Sequence, residues 1–184
     1  MATINTKRVN RDNANDLYRT HPDATIRAIG AGVFDRDKTL WDCCDGLGGI
    51  SDELEKAGFT VKRSDLIDYF RENTVVRDFL SLESPLFHCD AIVMNPPYKL
   101  TFEFVEKALQ LSNRVIMFNR ASFLESDKRG NKFKSGEWPL SQVFVHSKRV
   151  GCAKGFSDDY ANAVMYCWYV FDKRETQPCT LHWI

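Results

Sequence analysis

The residues best suited to chemistry lie in one short stretch, Asp90-Ala91-Ile92-Val93-Met94-Asn95-Pro96-Pro97-Tyr98. Asn95 carries an amide that both donates and accepts hydrogen bonds. Pro96 has no N–H and offers only a carbonyl. Pro97 stiffens the turn, and Tyr98 presents a flat ring for stacking. Together these groups suit a planar ring bearing an exocyclic amino group, such as adenine. An aromatic amine is a poor nucleophile, because its lone pair is spread into the ring. Two acceptors, the Asn95 side-chain oxygen and the Pro96 carbonyl, would draw its hydrogens out of plane and localise that lone pair. Such catalysis rests on alignment and electrostatics, with no strong base needed before attack. Asn95, Pro96, Pro97 and Tyr98 are therefore the candidate catalytic residues, and Tyr98 also a substrate contact. The plainer reading of a bare Pro-Pro is a strand running into a stiffened turn.

A second constellation precedes it. Asp42 ends an apolar run, Asp45-Gly46-Leu47-Gly48-Gly49 makes a glycine-rich turn, and Asp65 ends the next run. The turn is not a dinucleotide fingerprint, since the third glycine position is Ser51, and it lacks the Lys of a P-loop. It permits close backbone approach to a ligand without being tuned for pyrophosphate. A carboxylate placed like Asp65 accepts hydrogen bonds from ribose hydroxyls. A nucleoside with a cationic amino-acid tail would satisfy both acids, and S-adenosylmethionine has that shape and charge. The alternative is a tight βα turn with exposed acids.

The elements that must position these groups follow from periodicity. Ile92-Val93-Met94 reads as a buried strand, and the prolines force the chain out of the sheet at its carboxyl end, where open α/β sheets bind ligands. Helices are expected at Asp23 to Gly32 behind Pro22, at Ser51 to Gly58, and at Thr101 to Leu111. Strands are expected at 39–44, 59–64, 89–94, 114–118, 142–146 and 163–171, with a final edge strand at 180–184. Residues 75–82 read as either a short helix or an extended piece, 120–139 as mixed structure, and 148–160 as a loop. Trp168 and Tyr169 read as core. The fold class is α/β and doubly wound.

The 184 residues suit one domain, with 43% hydrophobic and 27% charged residues. No apolar run is long enough to span a membrane. Residues 1–15 are polar, lack a signal-type apolar segment and are expected to be flexible. The six cysteines form no CxxC pair, and neither they nor the four histidines show metal-ligand spacing, so no metal and a reducing, cytoplasmic setting are expected. Net charge is zero, yet residues 114–154 carry nine basic and three acidic residues. That segment favours nucleic acid as partner. Lys128 and Arg129 within it are candidate backbone contacts, with a solvated charged loop as the alternative. Arg120 and Phe123 follow a strand end and either line the target pocket or pack structurally.

Taken together, the glycine turn and Asn95-Pro96-Pro97-Tyr98 resemble class I S-adenosylmethionine-dependent N6-adenine DNA methyltransferases, in detail the short single-domain enzymes of phages and prophages. The likeness covers residue 16 onward and includes the Phe104-Val105 helix, Arg120 to Leu124 and the closing Thr180 to Ile184. It implies a Rossmann-like fold: a mostly parallel sheet with helices on both faces and an antiparallel C-terminal strand. It implies that Tyr18 and Thr20, before Pro22, lie against the methionine end of the cofactor. Asp42, Gly46 and Gly48 match the motif whose acid faces the cofactor's amino group, and Asp65 the ribose-binding acid. Asp78 and Phe79 resemble the pair that bonds and stacks the cofactor's adenine. Cys43 and His21 depart from the pattern, standing where proline is usual. The implied target is adenine in single- or double-stranded DNA, flipped or already unpaired. No separate target-recognition domain is expected within 16–184, hence little sequence selectivity. A phage-encoded enzyme would work in the host cytoplasm. Other planar amines stay open as targets: RNA adenine, cytosine N4 and a protein glutamine. So does a protein that binds S-adenosylmethionine or DNA without turnover.

Overall fold

A computed structural model describes residues 16–161 and 164–184. The polar stretch expected over residues 1–15 lies outside the described residues. In chain order the elements are β1 (Tyr18–Thr20), α1 (Pro22–Gly30), β2 (Thr39–Asp42), α2 (Ser51–Lys56), β3 (Thr60–Asp65), β4 (Thr74–Val76), β5 (Ala91–Met94), α3 (Thr101–Leu111), β6 (Arg114–Arg120), α4 (Asp127–Ser135), β7 (Leu140–Val145), β8 (Cys152–Lys154), β9 (Tyr160–Ala161), β10 (Tyr166–Asp172) and β11 (Thr180–Trp183).

Strand β5 shows why the sheet is a central layer. All four residues are buried, and they alternate between two cores. Ala91 and Val93 pack with Ala24, Ala28 and Leu54 of α1 and α2, while Ile92 and Met94 pack with Phe104, Val105 and Ala108 of α3. An apolar residue at every position is what a strand covered on both faces requires. Strands β6 and β10 behave alike: Ile116, Phe118, Trp168 and Val170 face one core, Val115, Met117, Tyr169 and Phe171 the other. Each such side chain contributes about 1.5–3 kcal/mol on burial. Trp168 and Tyr169 are fully buried, as expected of core.

The eight-stranded sheet runs β11-β7-β10-β6-β5-β2-β3-β4. Strands β2, β3, β4, β5 and β6 pair in parallel. The antiparallel strand expected near the C-terminus is β10, which runs against both β6 and β7, whereas the final strand β11 runs parallel to β7. The chain winds outward one way through β2, β3 and β4 and the other way through β5 and β6. The switch point therefore lies between β2 and β5.

Three segments differ from expectation. Residues 148–160, expected as a loop, contain β8 and β9, which with β1 make a separate antiparallel sheet in the order β1-β8-β9. Residues 127–135 form a helix, capped by Ser126 at its start and closed by Gly136 in the left-handed conformation. The ambiguous 75–82 region is both things in turn: β4, then a short 3₁₀ turn at Phe79–Ser81 capped by Asp78. Among the described residues no helix is long and apolar enough to cross a membrane.

His146, just after β7, is only 6% exposed, and neither ring nitrogen has a hydrogen-bond partner. Burial, and then the nearby charge of Arg27, push its pKa down to about 4. The unfolded chain takes up a proton here near pH 6.5, while the folded chain does so only near 4. Stability is thus lost as pH falls through that window. His146→Phe should retain about 2–3 kcal/mol more stability than the parent at pH 4.5 relative to pH 7.5, measured by urea unfolding; parallel losses in the two proteins would contradict this assignment.

Candidate active site

At the switch point the carboxyl ends of β2 and β5 lie side by side, with Asp42 in register with Val93. They open into a cavity of about 330 Å³. It brings together Tyr18, Thr20, Asp42, Gly46, Asp65 and Asn95 from four separate segments. Asp78 and Phe79 also line it. Phe79 is largely buried, edge-on to Trp41 at 5.6 Å and stacked on Phe104 at 5.3 Å. Asp78 is exposed and accepts the Leu80 N–H at 2.9 Å.

The glycine turn is held from several sides. Gly46 and Gly48 have φ of +55° and +78°, a conformation that L side chains rarely adopt. The Gly46 N–H donates to Asp65 Oδ2 at 2.8 Å, and the Ile67 N–H to Asp65 Oδ1 at 2.9 Å. One carboxylate therefore ties the turn to the end of β3. Asp45 does the same on the outside, accepting from Arg71 Nε at 2.7 Å, Thr74 Oγ1 at 3.1 Å and the Ser51 hydroxyl. Gly48 lies beneath Arg71 and does not line the cavity; Gly49 does. A Cβ on Gly49 would overlap the Thr20 carbonyl oxygen, so β1 lies directly on the turn.

The electrostatics of the cavity are acidic and under strain. Asp42 is buried, and burial first, then the charge of Asp45, hold its carboxyl well above the usual range. Burial also raises Asp65, against the lowering effect of its bonds from Ile67 and Gly46. A cation in the cavity would relieve both.

Asn95 occupies the turn out of β5. Its amide nitrogen donates to the Tyr18 carbonyl at 2.8 Å and to Thr20 Oγ1 at 3.0 Å, with Cys152 Sγ at 3.7 Å. A carbonyl can only accept, so the amide orientation is fixed. Its oxygen, Oδ1, is buried and has no partner. A buried acceptor left unpaired costs free energy, and a donor brought by a ligand would remove that cost. Beside it the Tyr98 hydroxyl meets Tyr166 Oη at 3.0 Å and Cys152 Sγ at 3.5 Å. Burial keeps both the Tyr98 phenol and the Cys152 thiol above their ordinary values, so neither is a base at neutral pH. The Tyr98 ring stands 4.8 Å from that of Tyr18, and the Arg120 guanidinium lies 4.0 Å over it.

The remaining expected contacts divide. Arg120 reaches the site through Tyr98. Phe123 does not line the cavity: it is buried among Trp138, Tyr169 and Phe171, in accord with the packing alternative. Arg129 braces the 3₁₀ turn after β6, donating to the carbonyls of Phe123, Ser122 and Glu125. Lys128 is exposed with its ammonium 3.5 Å over the Phe102 ring. Sequence reasoning missed Asp45, Gly49, Arg71, Cys152 and Tyr166. Asp45 and Gly49, at the two ends of the glycine-rich turn, carried a legible turn signal; Arg71, Cys152 and Tyr166 reach the site from segments distant in sequence. Gly49→Ala should force β1 off the turn, with a loss of about 1–3 kcal/mol in unfolding experiments. Amide exchange at Tyr18 and Thr20 should accelerate, whereas Gly30→Ala, with open space around it, should leave both unchanged. Undisturbed exchange in the Gly49 variant would contradict the close approach.

No protein-family model matches the sequence, and no curated protein matches it. Solved structures do resemble the fold. A Listeria monocytogenes protein, suggested to be a class I S-adenosylmethionine-dependent methyltransferase, matches with a TM-score of 0.65 at 12% identity, over 92% of this chain and 66% of that one. A Pyrococcus horikoshii protein suggested to be an RNA methyltransferase gives 0.61 at 14% identity, over 86% and 87% of the two chains. A TehB-like S-adenosylmethionine-dependent methyltransferase from Corynebacterium glutamicum gives 0.52 at 20% identity, over 92% and 96%. Such identities speak to architecture alone, and on that count the chain has the Rossmann-like α/β fold of the class I methyltransferase structures it resembles.

Proposed function

We propose that the protein is an S-adenosylmethionine-dependent methyltransferase acting on the exocyclic N6 amino group of adenine in DNA. The observation that carries this reading is the locked Asn95 amide, whose buried Oδ1 has no partner at the edge of the switch-point cavity. That arrangement asks for a ligand N–H, and the Pro96 carbonyl follows one residue later. The same cavity supports the cofactor: its volume lies in the range of small-molecule sites. A cationic amino group would offset the burial that raises Asp42, and Asp65 suits a ribose hydroxyl.

When bound, the cofactor supplies an electrophilic methyl group on a sulfonium. The protein's own residues do the rest. Asn95 Oδ1 and the Pro96 carbonyl accept the two amine hydrogens and turn the nitrogen lone pair toward the methyl. Tyr98, protonated and anchored by Tyr166 and Cys152, holds the base plane by stacking. The base has to be flipped or unpaired to reach it. Lys128 and the exposed Lys99 beside the cavity would meet phosphates. Little sequence selectivity is expected, because among the described residues the strands all belong to the eight-stranded sheet or to the small antiparallel sheet, and no further sheet or helical unit with its own core stands beside them. A second reading keeps the chemistry and moves the target to RNA; the Pyrococcus neighbour, suggested to be an RNA methyltransferase, favours it.

The test is incubation with methyl-labelled S-adenosylmethionine and DNA, RNA or protein, followed by digestion and identification of the product. N6-methyladenine from DNA is expected. Product only from RNA, cytosine or glutamine would reassign the target, and none from any would leave a binding protein. Asn95→Ala should abolish turnover while retaining cofactor binding; loss of binding would mean that Asn95 serves the cofactor instead.

Asp42 makes the cofactor's binding pH-dependent. Its carboxyl is raised in the free protein, and a cationic ligand prefers the carboxylate. Affinity should therefore rise with pH and be accompanied by proton release, seen as buffer-dependent heats in calorimetry. Asp42→Asn should weaken binding by about tenfold to a hundredfold and remove the proton release. Buffer-independent heats in the parent protein would rule out this role for Asp42.

A further inference from the structure

The Tyr98 ring, which the proposed function assigns to the target base, is not bare. Arg120, the last residue of β6, holds its guanidinium 4.0 Å over the ring centroid. That is the spacing of a stacked planar group. A guanidinium is flat, delocalised and weakly hydrated, so of the charged side chains it covers an aromatic face best. Its guanidinium also hydrogen-bonds the Tyr166 side chain, but Arg120 Nε is buried without a hydrogen-bond partner. The ring beneath is fixed much more firmly, through its hydroxyl to Tyr166 and Cys152. Of the two stacked partners, the cation sits on a long, half-buried side chain and is the one that can swing aside by giving up a single hydrogen bond to Tyr166.

We propose that Arg120 is a displaceable stand-in for the target base. It covers the face of Tyr98 in the free protein, keeps that face out of water, and is expelled when the base enters. After leaving, the guanidinium stays tethered at the end of β6, beside the base it has admitted, where the flanking phosphates are its natural partners. Arg120 would then act with opposite signs on two kinds of substrate. It competes with an isolated base for the ring, and it assists a base that arrives with its phosphates. The inference rests on Tyr98 being the base-stacking ring.

The arginine Nε–Hε signals in a ¹⁵N–¹H spectrum test it. In the free protein one signal should be shifted upfield by the Tyr98 ring, and should lose that shift in Tyr98→Leu and vanish in Arg120→Lys. A single-stranded decanucleotide with one adenine should return it to the ordinary arginine position. Arg120→Ala should bind free 2′-deoxyadenosine several-fold more tightly, and the decanucleotide several-fold more weakly. A free protein with no upfield signal would overturn the stand-in whatever the substrate. So would a decanucleotide that binds and is methylated while the signal stays in place, or an Arg120→Ala protein that weakens for both ligands. A decanucleotide that neither binds nor yields N6-methyladenine is the different failure, that of the DNA reading itself.

Discussion

The structure turns on one hydrogen bond, from the Asn95 amide nitrogen to the Tyr18 carbonyl. An asparagine amide is nearly symmetric in shape, and nothing in Asn-Pro-Pro-Tyr alone decides which end faces a ligand. The β1 carbonyl decides it, because it has no hydrogen to give. With nitrogen so committed, the oxygen is left buried and unanswered. That is an energetic debt in the free protein, and a preformed demand for a donor. Functional sites commonly concentrate such unmet requirements, since the same groups that would destabilise an ordinary core become recognition elements when a ligand satisfies them.

Everything around β1 serves that bond. The strand lies on Gly49, which is why no side chain is tolerated there, and it pairs with β8 in the small antiparallel sheet. The turn beneath is itself tied at both ends by carboxylates, Asp65 to the Gly46 N–H and Asp45 to Arg71. Asp65 and Asp45 are thus structural anchors as well as neighbours of the cavity. Asp42 differs, because burial raises it and its hydrogen bond from the Cys44 N–H, at 3.3 Å, is long. Three acids within one turn and its flanking strand ends therefore divide between holding the backbone and presenting charge to the cavity.

Much of this was legible in the sequence. The continuous apolar run of β5 and its stop at two prolines specified a central strand that leaves the sheet at its carboxyl end, and that end lies at the switch point. The helical spacing of Phe104, Val105, Ala108 and Leu111 gave α3 to the residue. What escaped has a common physical cause. Helix α4 buries none of its residues, so it shows no apolar stripe, and its only local signals were the capping Ser126 and Gly136. Strands β8 and β9 are short and have charged and glycine neighbours; β8 pairs with β1 from far away in sequence, and β9 pairs with β8. Phe123 illustrates the reverse difficulty. An aromatic residue after a strand end looks like a pocket wall until the burial of its neighbours, Trp138 and Phe171, places it in the core.

The sequence distance spanned by that pairing has a consequence for how the protein becomes competent. Asn95 is separated from Tyr18 by 77 residues and from Cys152 by 57. The amide is thus oriented by segments on opposite sides of it in the chain, one made early and one late. Closing such loops is entropically costly and comes late when non-local contacts dominate. A growing chain can lay down β2, β5 and the glycine turn long before β8 emerges. The proposed chemistry would therefore switch on only as the last third of the polypeptide docks, so a stalled or truncated chain would carry the sequence motif while lacking the geometry that makes it a site.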